Sequence, residues 1–235
     1  MRKTIVTIAA LCLFAMVTLA QKTIRVAAGK TDLVMQVSPK GRLYQVYLGE
    51  KLQNATDYDQ LKWDVYAASD GAVCQRGHEV CATSGAEDFF EPALAITHAD
   101  GNMSTYLYFQ GVEQKPVKGG AETIITLADK EYPVTVKLHY VAYPKQSVIK
   151  AWSEVTHKEK APITLWRYAS TMLYFKSAKY FVTTYHSDWA KEGQPETTQL
   201  ISGKKIVDTK LGTRAAMQEE PFFELGFDAP ARENE

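Results

Sequence analysis

The chain has 235 residues, with 27 Lys+Arg balanced against 27 Asp+Glu, so its formal charge is zero. That balance excludes a protein held to nucleic acid by a basic face. With 46% hydrophobic and 11% aromatic residues it can bury the core of one large domain or two small ones.

The start of the chain is a separate segment. Arg2 and Lys3 precede an apolar run from Ile5 to Val17, which Thr18-Leu19-Ala20 closes with small residues at its first and third positions. This is the pattern of a secretory signal peptide over residues 1–20, cleaved before Gln21. The apolar run is too short to span a bilayer. Cys12 lacks the small residues that a lipoprotein cleavage box needs before it. The chain is therefore expected to be exported, periplasmic or secreted, without a membrane anchor. Residues 21–235 form the mature part. Its two cysteines, Cys74 and Cys81, form either a disulfide across a small loop or two separate thiols.

From Lys22 onward the pattern is β. Period-two alternation bounded by Gly and Pro predicts strands at Lys22–Ala28, Asp32–Val37 and Leu43–Leu48. Gly49 to Pro92 is a long polar stretch with little alternation, of the kind that is usually functional or disordered. Its aromatics Tyr58, Trp63 and Tyr66 argue for order. Strands resume at Ala93–Thr97, with a hairpin turn at Asp100-Gly101, and then at Thr105–Val112. Glu122–Ala128 is expected to pair with Val134–Tyr143, with Val134, Val136, Leu138 and Tyr140 on one face and Thr135, Lys137 and His139 on the other. Val148–Val155, a long aromatic strand Ile163–Phe175, Lys179–Thr184, Thr197–Ile201, Lys205–Lys210 and Phe222–Phe227 complete the series. No sustained helical stripe follows the signal; Asp188–Gly193 comes nearest. About a dozen strands at hairpin spacing predict an all-β fold, a large antiparallel β-sandwich. The chain stops where a hairpin partner for Phe222–Phe227 is expected, so that strand is an edge or the chain is a fragment.

The chemistry-bearing residues do not assemble into a motif by spacing. The acids are numerous, but none can be paired across a glycosidic bond from sequence. His78, His98, His139, His157 and His186 show no His-Glu-x-x-His spacing, and CxxC is absent, so no metal site is expected. No phosphate loop or dinucleotide fingerprint occurs, so no cofactor is expected either. His186, Ser187 and Asp188 do not make a triad, because neighbours on a strand point to opposite faces. Trp152 and Trp166 lie in alternating strands, where core packing is expected. Trp63 and Trp189 lie in acid-rich loops, where a surface role is open.

Three stretches, taken in order, carry a resemblance. They are Gly85-Ala86-Glu87-Asp88-Phe89-Phe90-Glu91-Pro92-Ala93-Leu94, then Tyr106-Leu107-Tyr108, then Tyr185-His186-Ser187-Asp188-Trp189-Ala190-Lys191-Glu192. Together with the tail Phe222 to Asp228, they resemble the N-terminal region of glycoside hydrolase family 36, the α-galactosidases, over residues 22–235. The resemblance implies a β-supersandwich that precedes a (β/α)8 barrel. In the family that barrel carries an aspartate nucleophile and an aspartate acid/base, which cleave α-galactosyl bonds of melibiose- or raffinose-type sugars with retention. The chain ends before such a barrel would begin, so it is expected to be truncated, to lack the catalytic aspartates and to be inactive alone. The barrel domain and a homo-oligomer are the partners that the resemblance implies. Lys62-Trp63-Asp64 matches the family's Lys-Trp-Asp nucleophile motif, but Tyr66 stands where that motif has Asn, and no barrel strand surrounds it. In tetrameric members a loop of this domain reaches a neighbour's active site. By that resemblance Trp63 and Asp64 are the candidate substrate-binding residues. The alternative expectation is a free-standing secreted carbohydrate-binding sandwich, motivated by Trp63 and Trp189.

Overall fold

The computed structural model describes residues 22–62, 78–85, 91–208 and 218–230. The signal segment, Cys74, Trp63 and Asp64 lie outside the described residues. The chain divides into two compact units, Met1–Tyr174 and Phe175–Glu235.

In the first unit, β1 (Lys22–Ala28), β2 (Thr31–Val37) and β3 (Leu43–Glu50) form an antiparallel meander. A second meander contains β5 (Tyr108–Val117), β6 (Gly120–Ala128), β7 (Val134–Tyr143) and β8 (Val148–His157) in that spatial order. Between them in sequence, β4 (Leu94–Thr97) pairs with β9 (Thr164–Tyr168). The alternation of β7 places Val134, Val136, Leu138 and Tyr140 in the core, as expected from their spacing. They meet Ile24, Val26, Leu33 and Met35 of the first meander and Ile96 of β4 in one apolar cluster. Two inner faces interdigitating in this way are the physical basis of a sandwich. Burying such side chains stabilises the fold by roughly 1.5–3 kcal/mol each.

One close approach locks the two meanders together. Gly29 turns β1 into β2 with φ 64°, a left-handed value that favours glycine. A Cβ at this position would collide with the carbonyl oxygen of Pro144 in the β7–β8 turn. Across the same contact the Lys30 amide donates to Ser147 Oγ at 3.2 Å.

In the second unit, β10 (Tyr180–Asp188) lies between β11 (Lys191–Leu200) and β12 (Gln218–Phe227), so among the described residues β11 and β12 are the outer strands of this sheet. Every ladder between named strands is antiparallel. The all-β reading stands.

Several details depart from the sequence reading. A four-residue helix, α1 (Asp57–Gln60), interrupts the polar stretch, with Asp57 and Asp59 in its first turn. It is too short to leave a periodic stripe. Asp100-Gly101 makes a turn but not a hairpin, because β4 pairs with β9 rather than with β5. The aromatic run after Ile163 is a strand only over Thr164–Tyr168. Beyond it the chain leaves the ladder: Ala169 O accepts from Ser153 Oγ at 2.8 Å, while the Ala169 amide donates to Ala93 O at 2.9 Å. No strand forms over residues 201–208. Among the described residues, no helix is long and apolar enough to cross a membrane.

Candidate functional site

The segment leading to Trp63 and Asp64 is fastened to the polar face of the first meander. Asp32 is fully buried on β2. It accepts from Arg25 Nε at 3.1 Å and Arg25 Nη2 at 2.8 Å. It also accepts a short hydrogen bond from the Tyr58 hydroxyl of α1. The Arg25 guanidinium lies 4.4 Å from the Tyr58 ring centroid, a cation–π contact. Desolvation, and then the Asp32 carboxylate, raise the Tyr58 phenol above its ordinary titration range. Gln36 Nε2 donates to Leu61 O at 2.8 Å, so β2 holds the chain two residues before Trp63.

The chain is fastened again where the described residues resume. The Gln45 amide donates to His78 O at 2.8 Å, and the Val80 amide to Leu43 O at 3.0 Å. Arg42 meets Glu79 through two contacts, Nη2 to Oε2 at 2.8 Å and Nε to Oε1 at 2.7 Å, with both side chains buried. The rings of His78 and Tyr174 stack at 4.5 Å.

Two constellations look like reaction centres until their surroundings are considered. The first is Glu159–His98–Thr105. Glu159 Oε1 lies 2.8 Å from His98 Nδ1, and His98 Nε2 lies 3.0 Å from Thr105 Oγ1. A carboxylate, an imidazole and a hydroxyl in line are the parts of an activated nucleophile. Here Thr105 is wholly buried and the Tyr132 ring covers His98 at 3.6 Å, so no substrate can reach the hydroxyl. The chain of contacts instead pins the turn after β8 to the turn after β4. Its members are widely separated in sequence, and no spacing signal announces it. The second constellation is Tyr185–Asp188. Ser187 Oγ donates to Glu220 at 2.8 Å and accepts from the Gly193 amide at 3.1 Å, while His186 Nε2 lies 2.8 Å from Glu196. The serine and the histidine are engaged with different partners, as their places on one strand require. Cys81 is a buried free thiol, pushed up to about 12 by burial, and so is not a nucleophile at neutral pH. Among the described residues, no three His, Cys, Asp or Glu side chains stand together to hold a metal ion.

The stretch around Trp189 is a tight hairpin rather than a loop. Asp188 faces Lys191 across it, and Ala190 takes a left-handed φ of 57°. Asp188 Oδ1 accepts from the Trp189 amide at 2.7 Å. Trp189 stands at the tip, 89% exposed, with Glu192 exposed beside it. Trp166 corrects the core expectation: it is 68% exposed on β9 and its indole N–H donates to Thr97 at 2.7 Å. The alternation of β9 does not bury it: all five residues of that strand are exposed, whichever face they lie on. Trp152 is half-buried, stacked on His139 at 4.6 Å.

The described surface is therefore apolar in one part of the chain and carries no open catalytic pair in either constellation. Comparison with known sequences places this arrangement. The profile of the glycosyl hydrolase family 36 N-terminal domain matches residues 41–235. The chain belongs to glycosyl hydrolase family 36 through this domain. α-Galactosidase AgaA of Geobacillus stearothermophilus is 25% identical over 226 residues, which is 87% of this chain and 31% of AgaA. The bifunctional α-galactosidase/sucrose kinase AgaSK of Mediterraneibacter gnavus is 26% identical over 205 residues, 78% of this chain and 22% of that protein. The fold agrees as well. A solved AgaA variant bound to 1-deoxygalactonojirimycin superposes with a TM-score of 0.74 at 23% identity, covering 86% of this chain and 31% of AgaA. The Lactobacillus brevis α-galactosidase superposes with a TM-score of 0.70 at 20% identity, covering 88% and 31%. This family 36 domain thus spans about a third of the length of its matched relatives, or less.

Proposed function

We propose that this chain is the non-catalytic N-terminal domain of an exported α-galactosidase acting on terminal α-galactosyl residues of melibiose- or raffinose-type sugars. The observation that carries the reading is the match of nearly the whole mature chain to this one domain of α-galactosidases. In this reading the catalytic aspartates belong to a separate barrel domain, and the sandwich serves assembly and the shaping of the substrate site. The apolar side chains exposed on β9 and β12, such as Trp166 and Phe223, suit contact with that domain or with another subunit. Trp63 and Asp64 are assigned to substrate binding, with β2 holding the chain that leads to them through Asp32 and Gln36. Export follows from the signal-like residues 1–20.

The test is an assay of the purified chain with an aryl α-galactoside. No turnover is expected; specific hydrolysis by the chain alone overturns the reading. Sequencing downstream of codon 235 is the complementary check. Barrel sequence, in frame or across a frameshift, is the expected result.

A second reading rests on the exposed Trp189 hairpin tip: a free-standing carbohydrate-binding sandwich. Titrating the chain with galactosides while following Trp emission decides it. A saturable change that is lost in Trp189→Ala supports this reading, and no change up to about millimolar sugar, near the weak end of useful affinity, removes it.

A further inference from the structure

The three-stranded sheet of the second unit has two unlike faces, and register sorts its residues between them. Val182 and Thr184 of β10 share one face with Leu225 and Phe223, their partners on β12. Thr183 and Tyr185 point the other way. Glu224 of β12 and Thr197 of β11 flank Thr183 there, and Pro195 of β11 stands beside Tyr185.

This second face is built in rows that run across the strands. In one row the Tyr185 ring stacks on Phe222 at 4.7 Å, with planes 29° apart, and Pro195 lies on its other side. In the next row the Thr183 and Thr197 hydroxyls share a hydrogen bond at 2.8 Å beside Glu224. Consecutive rows are about 7 Å apart, the repeat of two strand residues. The Tyr185 hydroxyl joins them by donating to Glu224 Oε1 at 2.6 Å. That bond, and then desolvation, raise the Tyr185 phenol above its ordinary range, so it remains a donor. Phe222 is 47% exposed, and Pro195, Thr197 and Glu224 are exposed with it.

Each row narrows the chemistry of a ligand. Two aromatic rings and a proline side by side offer an apolar floor for C–H groups. A carboxylate has about four acceptor sites, so Glu224 can accept from further hydroxyls besides Tyr185. The Thr197 hydroxyl can donate and accept. Among the described residues, neither row contains a cation, which disfavours an anionic ligand. A neutral molecule with a C–H face and a hydroxyl edge meets both rows at once, and that is the form of a pyranose. The Tyr185 ring is held by its own hydroxyl on a central strand, so little freedom is lost when a ligand settles on it.

We propose that the Tyr185–Phe222–Glu224 face of this sheet is a saccharide-binding platform, separate from the Trp189 tip. The sugar ring lies on Phe222 and Tyr185, and its hydroxyls bond to Glu224 and Thr197. The ligand class comes from the face itself; that the sugar is a galactoside rests on the α-galactosidase reading.

Saturation-transfer NMR on the intact chain, with raffinose, melibiose and maltose each at up to about 10 mM, tests the platform. Transfer from aromatic protons of the protein to C–H protons of the sugar is expected. Phe222→Ser should abolish it, and Glu224→Gln should weaken binding about tenfold. Phe223→Ser, one residue on and on the opposite face, should leave it unchanged. All three side chains are exposed, so the variants will fold. Binding of maltose alone supports the platform and removes only the galactoside assignment. No transfer to any of the three sugars, transfer that survives in Phe222→Ser, unchanged affinity in Glu224→Gln, or an equal loss in Phe223→Ser overturns the platform. A loss in Trp189→Ala as complete as in Phe222→Ser assigns the sugar to the hairpin tip and overturns it as well.

Discussion

Residues 22–147 and 148–230 treat their apolar side chains in opposite ways. Among the described residues before Val148, Met103 is the one large hydrophobic that stands exposed. From Val148 onward there are thirteen, from Leu165 and Trp166 on β9 to Phe222, Phe223 and Phe227 on β12. Strands occur in both stretches, so strand formation alone does not separate them. The difference is what lies over each strand. β2 and β7 have the other meander across from them, while β9 pairs on one side with β4 and exposes every residue. The fully buried apolar side chains belong almost entirely to the early stretch, and the exposed ones almost entirely to the late stretch.

That comparison can be broken most sharply at the buried ion pair. Arg42→Met leaves Glu79 charged in a site where both side chains are less than a tenth exposed. A loss of about 3–5 kcal/mol is expected in a urea titration. Met35→Ala, in the apolar cluster and fully buried, should cost about 2–5 kcal/mol by the same measurement. Gly29→Ala combines a left-handed φ with a collision against Pro144 O, and a loss of roughly 1–3 kcal/mol is expected. At the other extreme, Phe223→Ser on the exposed edge strand should change stability by no more than about 0.5 kcal/mol. It should also lower binding of an apolar dye, which Met35→Ala will not do while the chain stays folded. If Phe223→Ser instead destabilises as Met35→Ala does, the late stretch is an ordinary core and the contrast fails.

Acid sharpens the same contrast. Glu159 is desolvated, which pushes its carboxyl up, yet the His98 and Ala99 hydrogen bonds hold it below the usual carboxylate range. Its contribution is therefore present above the unfolded carboxylate pKa and lost as pH falls through the lower folded value. Acid unfolding monitored by circular dichroism should begin at higher pH in Glu159→Gln than in wild type.

The legible part of the site was smaller than the legible part of the fold. Trp189 sits in acid-rich sequence, and its exposure at a hairpin tip agrees with the surface role left open for it. Trp166 misled because alternation reports that a strand has two faces, not whether a layer covers either of them. The Glu159–His98–Thr105 chain and the His139–Trp152 stack were invisible, since each joins residues that only strand pairing and turn packing bring together. The helix α1 was missed because four residues are too few to show a period.

The sequence by itself determined the all-β class, the limits of most strands, the β6–β7 pairing and the family. These are local or cumulative signals: side-chain period, turn residues, and the order of motifs along the chain. Tertiary structure alone decided that β4 joins β9, that Gly29 abuts Pro144, that Asp32 and Gln36 hold the segment before Trp63, and that the apolar surface collects after Val148. The physical reason is that burial and hydrogen bonding depend on which distant segments meet. Two stretches with the same alternation differ only in whether another layer is there to exclude water from them.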